Sequence, residues 1–265
     1  MVVYPKSILK LASQRAIQLL EKTPISKGYR VAIFFGFGIF PPAEFYSSAL
    51  IQMGCQVLQM GAGKNLSTEQ KVEWLKKTPV HTIVSMPSYL LRLIKVIKEN
   101  SLLEFFKENL KCIITGGEVS SPKTRSLLIN FFQVPLFDHY GMLEAPMIAG
   151  ECINGHMHIC CDYYPEVLTS SGIQPEGYGN LILSSRTVWG DEPLIRLNTH
   201  DLVLLRIDKC SCQDPGAIIK IIGRADQIVK IKGFQIDLTL IELKLNQLNV
   251  SEYYLEVSRD EAARD

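Results

Sequence analysis

The chain has 265 residues, 47% of them hydrophobic, with 28 Lys plus Arg against 27 Asp plus Glu and a formal net charge of +1. That supply of apolar side chains builds a substantial core and excludes a disordered chain, while the even charge balance offers no global attraction to nucleic acid or anionic lipid. No stretch approaches the roughly 18 uninterrupted apolar residues of a membrane span, the first residues are amphipathic and charged, and seven cysteines, an odd number, fit a reducing compartment, so the expected location is the cytoplasm.

Residues 7 to 21 carry Ile8, Leu11, Ala12, Ile17 and Leu20 at helical spacing, with Ser7 as a candidate cap. "RVAIFF" then reads as a buried strand, "PPAEFYSSALIQMG" as a helix opened by proline and stopped by Gly54, "QVLQM" as a strand, and "STEQKVEWLKKT" as a helix begun by hydroxyls and Glu69. The unit repeats: "HTIVSM" as strand, "PSYLLRLIKVIKEN" and "SLLEFFKEN" as helices, "KCIITGG" as strand, "SPKTRSLLINFF" as helix, "VPLFDHY" as strand. Alternation of this kind predicts an α/β fold, a mostly parallel layered sheet with flanking helices. From Gly150 onward glycine, proline and short β-prone segments replace the helices, which predicts a smaller β-rich portion beside the core. The expected domains are residues 1–149, 150–224 and 225–265, the last a hinge and the beginning of a small lobe.

Ligands of an open parallel sheet sit beyond the carboxyl ends of its strands, which directs attention to "FFGFGIFPP", "ITGGEVSS" and "DHYGMLEA". The first has Gly36 and Gly38 but neither a complete GxGxxG pattern nor the lysine and hydroxyl of a Walker loop. In the second, Gly116, Gly117 and Glu118 offer backbone donors and an acceptor, or simply a capping turn. In the third, Tyr140 can face a planar ligand, Gly141 removes a side chain beside it, and Glu144 suits a magnesium ion; the plain alternatives are a packed ring and a solvated acid. Asp138 and His139 are adjacent on a strand, point to opposite faces, and do not act as a pair. Asp201 lies in a polar break where it can accept hydrogen bonds from a sugar diol. Arg224 and Asp226 belong to a glycine-bounded polar turn suited to a hinge. Cys152, His158, Cys210 and Cys212 supply three thiolates and an imidazole, a set that fits tetrahedral zinc and fits equally well buried free cysteines beside a hydrogen-bonded histidine; His156 is an alternative to His158.

Taken together and in order, "SMPSYLLRL", "ITGGEVSS", "DHYGMLEAPMIAGEC", "IRLNTHDLV", "CSC" and "GRADQIVKIKGFQI" resemble the adenylate-forming ligases, specifically the phenylacetate-CoA ligase branch and its coenzyme F390 synthetase-like relatives. The resemblance implies ATP-dependent activation of an aryl or related carboxylic acid as an acyl-adenylate, followed by thioester formation with coenzyme A. It implies that Gly116, Gly117 and Glu118 line the adenine or acyl pocket, that Tyr140 with Gly141 meets adenine, that Glu144 helps hold Mg2+, that Asp201 binds the ribose and that Arg224 contacts the nucleotide. It makes Asp226 the pivot of the C-terminal lobe, places Pro87, Ser88 and Tyr89 near the acid, and favours structural Zn2+ at Cys152, His158, Cys210 and Cys212.

Against that pattern the chain lacks the hydroxyl- and glycine-rich phosphate loop, ends before the lobe that carries an adenylation lysine, has Leu143 where relatives have Thr or Ser, and has Gln227 in place of a second acid. The expectation is a form truncated at both ends, partial or of low activity. The alternative is a noncatalytic acyl- or nucleotide-binding regulatory protein derived from that fold. Expected partners are a small-molecule carboxylic acid, ATP and CoA, with a homo-oligomer or a complementary polypeptide as further candidates, and no nucleic acid or membrane.

Overall fold

A computed structural model describes residues 6–37, 42–62, 66–185, 188–189, 192–225, 228–231 and 234–237, together with residues 241 and 245. The α/β part runs α1 (Lys6–Leu20), β1 (Arg30–Ile33), α2 (Pro42–Gln52), β2 (Gln56–Gln59), α3 (Thr68–Lys77), β3 (Thr82–Ser85), α4 (Pro87–Glu99), α5 (Leu103–Asn109), β4 (Cys112–Gly116), α6 (Pro122–Phe132) and β5 (Leu136–Tyr140). Strands then follow almost alone: β6 (Ala149–Glu151), β7 (Met157–Ile159), β8 (Tyr163–Thr169), β9 (Gly172–Gln174), β10 (Gly177–Ser185), β11 (Val188–Trp189), β12 (Glu192–Pro193), β13 (Leu197–Arg206), β14 (Ile218–Arg224), β15 (Ile228–Ile231) and β16 (Phe234–Asp237).

Twelve strands form one sheet in the order β2-β1-β3-β4-β5-β6-β7-β14-β13-β10-β8-β9. The pairings from β2 through β5 are parallel, and β5 meets β6 antiparallel. Residue 150, where composition predicts a boundary, falls inside β6, and ladder hydrogen bonding runs straight through it. The β-rich region therefore extends the sheet instead of packing beside it. The shift toward glycine and proline marks a change of strand direction, since antiparallel neighbours need only tight turns where parallel ones need crossover helices.

Two compact units divide the chain, residues 1–222 and 223–265. Within the first, strand alternation sends side chains to two cores. Val31, Ile33, Cys112, Ile114 and Phe137 pack against α1 and α2 on one face, while Ala32, Ile83, Ile113 and Leu136 pack against α3, α4 and α6 on the other. The first core continues under the antiparallel strands through Ile159, Val167, Leu183, Val203 and Leu205. Local caps agree with the sequence, with one exchange of roles: Ser67 caps α3, and the side chain that answers it is Gln70, not Glu69. The second unit contains the antiparallel pair β15–β16. No helix among the described residues is long and apolar enough to cross a membrane.

Candidate functional site

A cavity of about 240 Å3 opens beyond the carboxyl ends of β1, β4 and β5, where a parallel sheet leaves space between the loops that follow its strands. Its wall combines the expected Gly116, Gly117, Tyr140 and Gly141 with side chains that the sequence did not single out, chiefly Phe35, Phe45, Tyr46, Met142 and Met147. Gly117 has φ +78, a left-handed conformation that lets the strand end turn sharply into its loop. At Gly141 an added Cβ would sit 2.7 Å from the Met147 backbone nitrogen, so only glycine lets the two segments of this loop close over each other.

Two distant polar residues meet here. The Tyr140 hydroxyl donates to the Asp201 carboxylate, joining β5 to β13 across 61 residues of sequence. Asp201 is aimed by its own strand. The register of β13 against β10 shifts between Asn180 and Ile182, and His200 takes φ 60 in the resulting irregularity. The Thr199 hydroxyl accepts from the Asp201 backbone N–H at 3.1 Å and donates to the Leu181 carbonyl at 3.0 Å, so Thr199 and Asp201 both face inward, 1% and 7% exposed.

Glu118 and Ser88 form a second contact. The carboxylate accepts from the Ser88 hydroxyl at 2.7 Å and from its backbone N–H at 3.0 Å. The N-cap of α4, Met86, has no capping side chain, so Glu118 supplies the missing acceptor and a negative charge at the positive end of the helix. Pro87 and Tyr89 flank Ser88 but are buried; Tyr89 packs against Phe34, ring centroids 5.2 Å apart, in the second core. None of Pro87, Ser88 and Tyr89 lines the cavity. Glu144 is exposed on the loop after Tyr140, and the neighbouring Leu143 lines the cavity. Arg224 ends β14 in the second unit, and Asp226 lies outside the described residues.

Adjacent residues of β5 serve opposite faces, as their alternation requires. Asp138 accepts from Arg125 at 2.8 Å and from the Thr115 hydroxyl, and Arg125 also reaches Glu151 at 2.8 Å. His139 faces α2, where its Nδ1 is 2.9 Å from the Tyr46 hydroxyl. Burial, and secondarily the positive charge of Lys22, pushes His139 down to about 3. An unfolded histidine takes up a proton near pH 6.5, the folded one only near 3, so between these values the unfolded chain binds more protons and stability falls as pH falls. Unfolding free energies measured from pH 6.5 downward should therefore decline in the wild type and flatten in His139→Gln. Equal slopes in the two proteins would contradict this assignment.

A third cluster lies at the β6–β7 and β13–β14 turns. The ligand atoms of Cys152, His158, Cys210 and Cys212 all lie within 4.8 Å of one another. Cys152 and Cys210 sulfurs are 3.9 Å apart, and Cys212 Sγ is 3.3 Å from His158 Nε2. His158 Nδ1 lies 3.0 Å from the Gly216 carbonyl oxygen. A carbonyl only accepts, so Nδ1 carries the hydrogen and Nε2 turns its lone pair toward Cys212. His156 approaches the same group from the side, with Nδ1 3.2 Å from Cys210 Sγ. The Cys212 backbone N–H and then His156 hold the Cys210 thiol below its usual range.

The fold is that of the adenylate-forming enzymes among solved structures, and the ordered motifs are similar to those of a phenylacetate-CoA ligase. Among curated proteins the chain is 28% identical over 239 residues to phenylacetate-coenzyme A ligase of Pseudomonas putida, an alignment that covers 86% of this chain and 52% of that enzyme. Among solved structures it is similar to 2-hydroxyisobutyryl-CoA ligase in an open conformation with 2-HIB-AMP and CoA, with a TM-score of 0.81 and 21% identity over 93% of this chain and 60% of that one. It is also similar to the amide bond synthetase McbA from Marinactinospora thermotolerans, with a TM-score of 0.62 and 15% identity over 87% and 48% of the two chains. No family model matches the chain. The chain thus spans about half the length of the curated relative it matches.

Proposed function

We propose that this chain is the nucleotide- and acid-binding core of an ATP-dependent carboxylic acid-CoA ligase of phenylacetate-CoA ligase type. The observation that carries the reading is the contact of Tyr140 with Asp201 beside a cavity walled by Gly116 and Gly117. In this reading the Tyr140 ring stacks on adenine, Asp201 accepts from the ribose hydroxyls, and Gly116, Gly117 and Gly141 let the ligand approach the backbone. Glu118 holds the β4–α6 loop against α4 near the acid. The carboxylate oxygen of the acid attacks the α-phosphorus of ATP and pyrophosphate leaves; the protein contributes placement and charge stabilisation, with no covalent nucleophile. Glu144, a hard and exposed oxygen donor, suits Mg2+, which would offset the phosphate charge.

Calorimetry with AMP and Mg2+ tests this reading. The wild type should bind, and Asp201→Ala should weaken binding about tenfold to a hundredfold, the scale of losing a charged hydrogen-bond acceptor. No binding of AMP by the wild type would refute it. Leu143 favours one second reading, a noncatalytic acyl- or nucleotide-binding regulator, because an aliphatic side chain at that wall cannot hydrogen-bond a phosphate. Ligand binding without pyrophosphate release would select it.

The cysteine cluster is read as a structural zinc site. Tetrahedral coordination at ordinary Zn–S and Zn–N lengths separates ligand atoms by about 3.5–3.8 Å; the Cys152–Cys210 and His158–Cys212 separations of 3.9 and 3.3 Å lie on either side of that range. The hydrogen bond to Gly216 prepares His158 as the nitrogen ligand. Four protein ligands leave no position for water, so the metal would tie loops together.

A further inference from the structure

Behind the four ligand atoms of the cysteine–histidine cluster lies a carboxylate that touches none of them directly. Asp214 sits two residues beyond Cys212, in an Asp-Pro-Gly bend. Its Oδ2 is 2.8 Å from Lys22 Nζ, in the turn that follows α1, and its Oδ1 accepts from the Gly216 backbone N–H at 2.8 Å. An aspartate that bonds the backbone two residues on holds its own bend in shape. Both side chains of the ion pair are shielded, Lys22 at 12% and Asp214 at 18% exposure, so the carboxylate is held from two sides.

The bend in turn sets the imidazole. His158 Nδ1 donates to the Gly216 carbonyl at 3.0 Å, whereas Asp214 Oδ1 is 3.6 Å from the same nitrogen, too far for a hydrogen bond. Asp214 therefore acts on His158 through Gly216. Little room is left for that carbonyl to move: an added Cβ at Gly216 would sit 2.3 Å from the Ile159 carbonyl oxygen, and the Ile159 N–H donates to the Ala217 carbonyl at 2.9 Å. With its hydrogen kept on Nδ1, His158 offers the Nε2 lone pair on the side of Cys212 Sγ, 3.3 Å away. His156 has no comparable support. Its Nδ1 faces Cys210 Sγ at 3.2 Å, and its ring makes no other hydrogen bond among the described residues.

We propose that Asp214 is a positioning residue of the metal centre, acting through the Gly216 carbonyl to present His158 Nε2 and so selecting His158 over His156 as the nitrogen ligand. The inference rests on the zinc reading of the cluster and adds to it the residue that orders the ligands. Zinc affinity of the whole chain, measured by competition with a chromogenic chelator, tests it. Asp214→Ala, which loses the acceptor, and Asp214→Glu, which keeps the charge but is one methylene too long for the bend, should each bind zinc about tenfold to a hundredfold more weakly than the wild type, the scale of losing an outer partner of a ligating histidine. Asp214→Asn loses the charge but keeps an oxygen for the Gly216 N–H, and should stay within about threefold of the wild type. Melting curves of the metal-free proteins check that each variant folds. Nitrogen-15 NMR at saturating zinc reads the ligand directly: in the wild type and Asp214→Asn the metal-bound nitrogen should be His158 Nε2, and in Asp214→Ala a metal-bound His156 should appear beside it. Wild-type affinity in Asp214→Ala or Asp214→Glu overturns the proposal, as does an asparagine variant as weak as the alanine one or a wild-type protein whose ligating nitrogen belongs to His156. A wild type that takes up no zinc overturns the zinc reading itself.

Discussion

Replacement of Arg15 by methionine is expected to lower the unfolding free energy by about 3–5 kcal/mol, the range for breaking a buried ion pair from one side. Arg15 projects from α1 and is 1% exposed. Its Nε is 2.6 Å from the Asp162 carboxylate, its terminal nitrogens donate to the Tyr163 hydroxyl at 2.6 Å and to the Ser185 hydroxyl at 3.0 Å, and its guanidinium lies 4.0 Å from the centre of the Tyr163 ring. Methionine fills similar volume but leaves three acceptors without their donor. In urea titrations the midpoint should move sharply downward with little change of slope. The double variant Arg15→Met with Asp162→Asn should recover part of the loss, because the uncompensated charge is then gone. A single-variant loss below about 1 kcal/mol would show that solvent reaches these groups.

Cys210→Ser is expected to abolish metal binding and to produce a large fall in melting temperature. Structural zinc sites contribute about 10–16 kcal/mol of binding free energy in small peptides at neutral pH, and here Cys210 is buried among Cys152, Ile218 and Cys212. Protein purified without added metal should contain about one zinc per chain, and the variant close to none. Cobalt substitution supplies an independent readout: thiolate-to-cobalt absorption from three sulfurs in the wild type should weaken in Cys210→Ser, and His156→Ala should retain it while His158→Ala loses tetrahedral intensity. Zinc-free wild-type protein with an unchanged melting curve would refute the site.

Much of the first half of the fold is legible in the sequence because each element carries its own local signal. "RVAIFF" alternates across the sheet, so that Val31, Ile33 and Phe35 enter one core and Ala32 and Phe34 the other. Ser67 and Pro122 announce their helices. The opposite facing of Asp138 and His139 follows from strand geometry alone. What is not legible depends on register between distant segments. Nothing near Arg15 predicts Asp162 or Ser185. His139 is recognisable as buried, but its partner Tyr46 comes from a helix 93 residues earlier. The residues about Tyr140 and Asp201 can be singled out by motif, yet the bulge at His200 that turns Asp201 inward requires knowing which strand β13 lies against. Tyr89, adjacent to Ser88 in a motif, is carried into the opposite core by the helical turn between them.

The strand order has a kinetic consequence. β14 occupies the place between β7 and β13, so the rung joining His158 to Ile218 closes a long loop, and such closures are entropically late events in folding. Until residues near 218 leave the ribosome, β7 has a bare edge, and the nascent chain carries an unfinished sheet during that interval. Aggregation during synthesis should thus be most sensitive to changes in β14, even conservative ones that leave the finished protein as robust as before.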